Sequence, residues 1–188
     1  MKLGLRIFLV CAIFGALAAC VPPDPLNRIG GMSITDKIAV SNSSILLTSY
    51  LSGNTVWNHS DPDEGGHGTQ VEYHSPDGKV FLWYPGNQHP VQGRWKVEDR
   101  QSGKPLLCYQ YGVKTYNPVL RQRGGAWRCE RQNWVYLGTA FAGDPFHLAS
   151  GRLPFVIPDR GFYGPNKLLS MAGRSGETVT MITDRGSL

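Results

Sequence analysis

Thr69-Gln70-Val71-Glu72-Tyr73-His74-Ser75, then Pro76-Asp77-Gly78, then Lys79-Val80-Phe81-Leu82-Trp83-Tyr84 reads as strand, tight turn, strand. β-Branched and aromatic residues fill both flanks. Pro76 pre-sets one turn dihedral, Asp77 offers a local acceptor and Gly78 tolerates positive φ. Two strands joined by so short a link run antiparallel, because a parallel pair needs a crossover of a dozen residues or more.

The same signature repeats outward from this hairpin. Thr55–His59 precedes it, and Gly93–Glu98, Leu106–Tyr111, Ala126–Arg131 and Trp134–Phe141 follow, with a further turn at Gln101-Ser102-Gly103-Lys104. The expectation is a mainly β fold, an antiparallel meander forming a small barrel or curled sheet. Val80-Phe81-Leu82-Trp83-Tyr84 is apolar on both faces, so this strand is expected to be covered on both sides. Ahead of the strands, Ser41–Ser52 predicts one N-terminal amphipathic helix. Ile45, Leu46, Tyr50 and Leu51 lie near one face, Ser41 or Asn42 caps the start and Gly53 ends it. That face reads as core, since Lys and Arg are missing from the polar side. The globular domain is placed at residues 41–172. After Phe141 it continues as ordered, irregular coil with a short element at Asn166–Met171, and residues 173–188 form a loosely ordered tail with one strand at Thr178–Ile182.

The first residues carry a different message. Lys2 and Arg6 precede the apolar run Ile7–Ala16, and Leu17-Ala18-Ala19-Cys20 closes it in the order of an export signal. Residues 1–19 are similar to bacterial lipoprotein signal peptides. That resemblance implies cleavage before Cys20, a diacylglycerol on its sulfur and attachment to a membrane, with palmitate-type chains giving stable anchorage. Val21 follows, where Asp is the usual signal for inner-membrane retention, so the expected address is the outer membrane, facing the periplasm. Val21-Pro22-Pro23-Asp24-Pro25 favours extended polyproline geometry, and residues 20–40 are read as a tether.

Of 188 residues, 41% are hydrophobic and 18% charged, enough apolar material for one packed domain. Without residues 1–19 the chain holds 17 basic and 14 acidic residues, a net +3 that gives no reason to expect nucleic acid as a partner. Outside the signal, Cys20 is assigned to lipid, which leaves Cys108 and Cys129. In an oxidising compartment their pairing is the default, and neither C-x-x-C spacing nor a nearby Cys/His set suggests a catalytic thiol or a metal. Alternation along the two strands puts Leu106 and Gln110 on the cystine face with Trp127 and Arg131, and Leu107, Tyr109, Tyr111, Arg128 and Glu130 on the other. Trp127 argues that the cystine face is inward; Leu107 with two tyrosines argues for its opposite.

Gly53-Asn54-Thr55 after a helix, Tyr73 before Pro76-Asp77-Gly78, Gly93-Arg94-Trp95, Leu107-Cys108-Tyr109-Gln110-Tyr111 and Trp127-Arg128-Cys129 together resemble an uncharacterised family of small exported bacterial proteins, carried as a domain of unknown function. The resemblance spans roughly residues 41–142 and implies no activity.

No catalytic or cofactor motif stands out. Asn58–Gly68 gathers His59, His67, Asp61, Asp63 and Glu64, but lacks H-E-x-x-H or EF-hand spacing and reads as a solvated lid or hairpin loop. There is no Gly-x-Ser-x-Gly elbow, and Ser175 lies in the polar tail. Glu72, Glu98 and Glu130 lie on candidate strands, where two carboxylates across a cleft would serve acid/base chemistry. Lys114, Tyr116, Arg121, Arg123, Trp127, Arg128, Arg131 and Trp134 form an aromatic and basic set suited to anionic glycan, peptide or partner surfaces, or to charged strand edges that discourage pairing. Tyr109, Tyr111, Trp127, Arg128 and Arg131 are the ligand-binding candidates. The expected function is non-enzymatic: a membrane-anchored periplasmic lipoprotein binding a protein partner or envelope ligand. The alternative is an envelope hydrolase with a carboxylate or histidine site.

Overall fold

The computed structural model describes residues 31–99, 104–133 and 137–188. Cys20, the tether before Gly31, the Gln101–Gly103 part of the second turn and Trp134 lie outside them. Two short helices come first, α1 (Ile34–Ser41) and α2 (Ser44–Leu51). The strands are β1 (Asn54–Ser60), β2 (Gly68–His74), β3 (Lys79–Trp83), β4 (Val91–Glu98), β5 (Leu106–Tyr111), β6 (Tyr116–Asn117), β7 (Gln122–Arg123), β8 (Arg128–Arg131) and β9 (Thr139–Ala142), with α3 at Pro165–Met171.

β1 to β5 form the expected meander, each strand antiparallel to the next. β8 extends it beyond β5 and β9 returns to pair with β1, giving the order β8-β5-β4-β3-β2-β1-β9. The sheet curls into a half-barrel, with β8 and β9 as its edges rather than a closing seam. The hairpin that opened the sequence reading is in place: Gly78 has φ +79°, Gly78 N–H donates to the Ser75 carbonyl at 3.0 Å, and Asp77 accepts from the Lys79 amine at 2.6 Å.

The helix expected over Ser41–Ser52 is α2, shorter at its start, and α1 precedes it in the stretch read as tether, with the polar Asn42 and Ser43 between the two. Ser43, rather than Ser41 or Asn42, caps α2 by accepting from Leu46 N–H at 3.3 Å, while Ser33 caps α1. Leu47, Tyr50 and Leu51 form the buried i, i+3, i+4 stripe; Ile45, two residues from that stripe, is 77% exposed. The domain therefore begins before residue 41, since Met32 and Val40 are buried in it. The C-terminus is likewise more ordered than a loose tail. Ile182 is buried, its N–H donates to the Ala140 carbonyl at 2.9 Å, and Met181 bridges Phe141 outside β9.

Each face of the sheet has its own core. On the convex face, Trp57, Val71, Phe81, Trp83 and Phe141 are covered by the segment after β9, which contributes Phe146, Leu148, Ile157, Leu168 and Leu169. Buried threonines fix that cover, Thr55 donating to the Gly143 carbonyl at 2.7 Å and Thr69 to that of Gly161 at 2.9 Å. On the concave face, α1 and α2 fill one end against Val80, Trp95 and Leu107, and the Tyr50 hydroxyl donates to the Gly138 carbonyl at 2.6 Å. The other end is open.

Candidate functional site

Alternation on β2 puts Gln70, Glu72 and His74 on the concave face, between the Leu82 row of β3 and the Val56 row of β1. On β5 the same rule brings Leu107, Tyr109 and Tyr111 inward, which settles the face left open by the sequence: the tyrosine side is inside. The cystine side faces outward, with Cys108 and Cys129 directly opposed and their sulfurs 2.03 Å apart, at bonding distance.

Between α2, the inner strands and the β6–β7 hairpin lies a cavity of about 390 Å³, within the size range of small-molecule sites. Leu51, Val56, Leu82, Leu107 and Leu137 make its apolar walls, and Asn58, His67 and Gln70 add polar groups. Its inner end is a hydrogen-bonded cluster. The Tyr111 hydroxyl donates to Glu72 Oε1, the His74 Nε2 lies 2.8 Å from the Tyr109 hydroxyl and 3.4 Å from Glu72 Oε2, and the Tyr109 hydroxyl also reaches Glu72. The tyrosine rings stack at 6.1 Å, and Trp95 meets the His74 ring edge-on at 5.3 Å.

Gly93 makes this arrangement possible. It stands opposite Tyr111 in the register, and a Cβ there would come within 2.7 Å of the tyrosine ring. Without a side chain at 93 the ring lies over β4 toward Glu72. Gly93-x-Trp95 thus places a gap and a buttress on one strand face.

Burial opposes charge on Glu72, but the hydrogen bond and electrostatic attraction of His74, then hydrogen bonds from Tyr111 and Tyr109, outweigh it and hold the carboxyl below its ordinary range. The same burial, with the Glu72 charge beside them, pushes Tyr109 and Tyr111 well above the usual phenol range. His74 Nε2 faces both Tyr109 and Glu72, while Nδ1 is buried and without a partner among the described residues. His67, on the cavity wall, is shifted downward by burial and by Arg160, favouring the neutral ring.

Of the sequence-predicted candidates, Tyr109, Tyr111 and Arg128 line this cavity, with Arg128 at its exposed rim. Trp127 and Arg131 do not join them. Trp127, 37% exposed, sits outside with the Lys96 amine 4.5 Å above its ring, and Arg131 is exposed on the same cystine side. Of the carboxylates, Glu72 and Glu130 line the cavity, whereas Glu98 pairs with Lys96 outside at 2.6 Å. The two loop histidines part company, His59 packing on Phe162 and His67 on Tyr84. Among the described residues, the grouping with metal-ligand proximity is Glu98, Cys108 and Cys129, whose thiols are consumed by each other. His74 was missed by the sequence reading, although its spacing of two from Glu72 on a strand puts both on one face. No helix among the described residues is long and apolar enough to cross a membrane. Comparison of the chain with protein-family models, with curated proteins and with solved structures returns no match.

Proposed function

We propose that this chain is a lipid-anchored periplasmic lipoprotein of the outer membrane, tethered through Cys20, whose β-domain is a non-enzymatic binder holding an envelope ligand in its concave cavity. The supporting observation is the cavity itself: apolar walls converge on a polar inner end whose groups are fixed by one another before any ligand arrives. Such preorganisation lowers the ordering cost of binding. Glu72 is a poor general acid, because a carboxyl held below its ordinary range carries no proton at neutral pH to donate to a leaving group. Where the bound species is a partner protein, the cavity takes one of its side chains.

The hydrolase reading draws on the same residues. Glu72 and Glu130 both line the cavity, and His74 touches the Glu72 network, the convergence of titrating groups that marks many active sites. Native mass spectrometry of the full chain, extracted from envelopes in mild detergent, separates the readings. The binder is expected to retain a compound that is absent after unfolding and refolding, and absent from a Leu82→Trp variant whose cavity is filled. No retained species, or turnover of envelope glycan or peptide that Glu72→Gln abolishes, overturns it. The anchor has its own test: palmitate label enters the wild-type chain and is lost in Cys20→Ala, and equal labelling of both removes it.

A further inference from the structure

One carboxylate stands at the inner end of the cavity. Glu72 is largely buried, at 18% exposure, yet its ion-pair partner within 4 Å among the described residues is His74, itself 1% exposed, and neither Lys nor Arg reaches it. Hydroxyl and imidazole groups surround its oxygens, and Glu72 itself lines the cavity. The surrounding groups favour the charged form of Glu72, and a ligand cation beside it would add an attraction strengthened by the low dielectric of the site.

The surroundings define the ligand further. The stacked Tyr109 and Tyr111 rings flank Glu72, and aromatic faces attract a desolvated cation. A metal ion fits poorly, because no grouping of three ligating side chains includes Glu72 among the described residues, and hard cations take six or more oxygens. The rim arginines, Arg123 and Arg128, are exposed and solvated, so their repulsion of a cation is screened far more than the attraction of the buried carboxylate.

We propose that the cavity recognises a protonated amine on a small, partly apolar organic molecule, the ammonium donating to Glu72 between Tyr109 and Tyr111 and the body lying against Leu51, Val56 and Leu107. This specificity rests on the binding function proposed above and narrows it to one head-group chemistry. Gly93 is a positioning residue in it, since its missing side chain is what lets Tyr111 reach the carboxylate.

Isothermal titration of the full chain in detergent with 2-phenylethylamine, 2-phenylethanol and 3-phenylpropionate holds the ring body nearly constant and changes the head group. The amine is expected to bind, the alcohol about ten- to a hundredfold more weakly, the range for losing a hydrogen bond to a charged group, and the carboxylate not at all. Glu72→Gln is expected to bring the amine down to the level of the alcohol while leaving the alcohol unchanged, so a folding defect is recognised by loss of both. Gly93→Ala is expected to weaken the amine, with the Tyr111 ring resonances shifted in the NMR spectrum. Alcohol or carboxylate binding as tightly as the amine, or an amine affinity indifferent to Glu72→Gln, overturns the head-group assignment and leaves the binding function standing. A compound retained from envelopes that lacks an amine does the same. No heat from the amine overturns the assignment, and an envelope extract that yields no retained compound removes the binding function as well.

Discussion

The two faces of the curled sheet solve the same burial problem differently. The convex face of β1, β2, β3 and β9 is sealed by a long irregular segment that brings phenylalanines and leucines onto Trp57 and Trp83. The concave face is filled at one end by two short helices and left hollow at the other, where polar residues take positions that a packed core would give to leucine. The carboxylate, histidine and paired tyrosines of the polar inner end are what the binding function proposed above rests on.

The difference is most sharply broken at Trp83, fully buried against Phe146 and Phe155. Trp83→Ala is expected to cost about 3–5 kcal/mol, read from urea unfolding, without altering a ligand signal in the molecules that stay folded. Trp83→Phe is expected to cost less than Trp95→Phe. The Trp83 N–H has no partner among the described residues, whereas the Trp95 N–H donates to the Ser75 carbonyl at 3.0 Å, so its removal loses a made hydrogen bond and leaves that carbonyl with Gly78 N–H alone. Equal losses would mean that the Trp83 N–H is satisfied.

Next in size is the cystine that joins β5 to β8 outside the cavity. Replacing Cys108 and Cys129 by Ser is expected to cost roughly 3 kcal/mol in the chain-entropy account. Two free thiols in the non-reduced wild-type chain, detected by mass, would cancel that expectation. Tyr111→Phe removes a hydrogen bond to a carboxylate and is expected to cost about 1.5–3 kcal/mol, and to move the Glu72 carboxyl upward in an NMR titration. An unmoved titration would break the link between Tyr111 and Glu72.

The pH dependence has two limbs. Glu72 is lowered in the folded chain from about 4.5, so its contribution is present above that value and is lost as pH falls below it; Tyr109 and Tyr111 are raised from about 10.0, so theirs is present below pH 10 and is lost as pH rises beyond it. Burial raises Tyr50 too and adds to the alkaline limb. Glu72→Gln is therefore expected to flatten the acid limb and leave part of the alkaline one, measured as urea midpoint against pH. Smallest of all, Ile45→Ala at the exposed side of α2 is expected to stay within about 0.5 kcal/mol of wild type. A larger loss would mean that this residue is covered.

The strands were legible because short β-rich runs and turn residues are local signals. Lys79–Tyr84 and Leu106–Tyr111 were placed within a residue of β3 and β5, and the Pro76-Asp77-Gly78 reversal was identified from its chemistry. The helix was less legible, since a mostly apolar octet such as Ser44–Leu51 does not say which side is inward and let Ile45 pass for core. At the site, Tyr109 and Tyr111 were read together as ligand-binding candidates, and Glu72 was noticed apart from them. Trp127 and Arg131 were grouped with them because their residue types suit binding, and strand parity then carried both to the outside.

By itself the chain determined its alternation, its turns, the antiparallel sense of its strands and which side chains share a face. All of these follow from period-two geometry and the dihedral limits of Pro and Gly. Tertiary structure alone decided which face is concave, that β9 returns to β1, and that Tyr111 on β5 crosses the gap at Gly93 to meet Glu72 on β2. Those facts depend on sheet curvature and on contacts between residues distant in sequence, which no local pattern encodes.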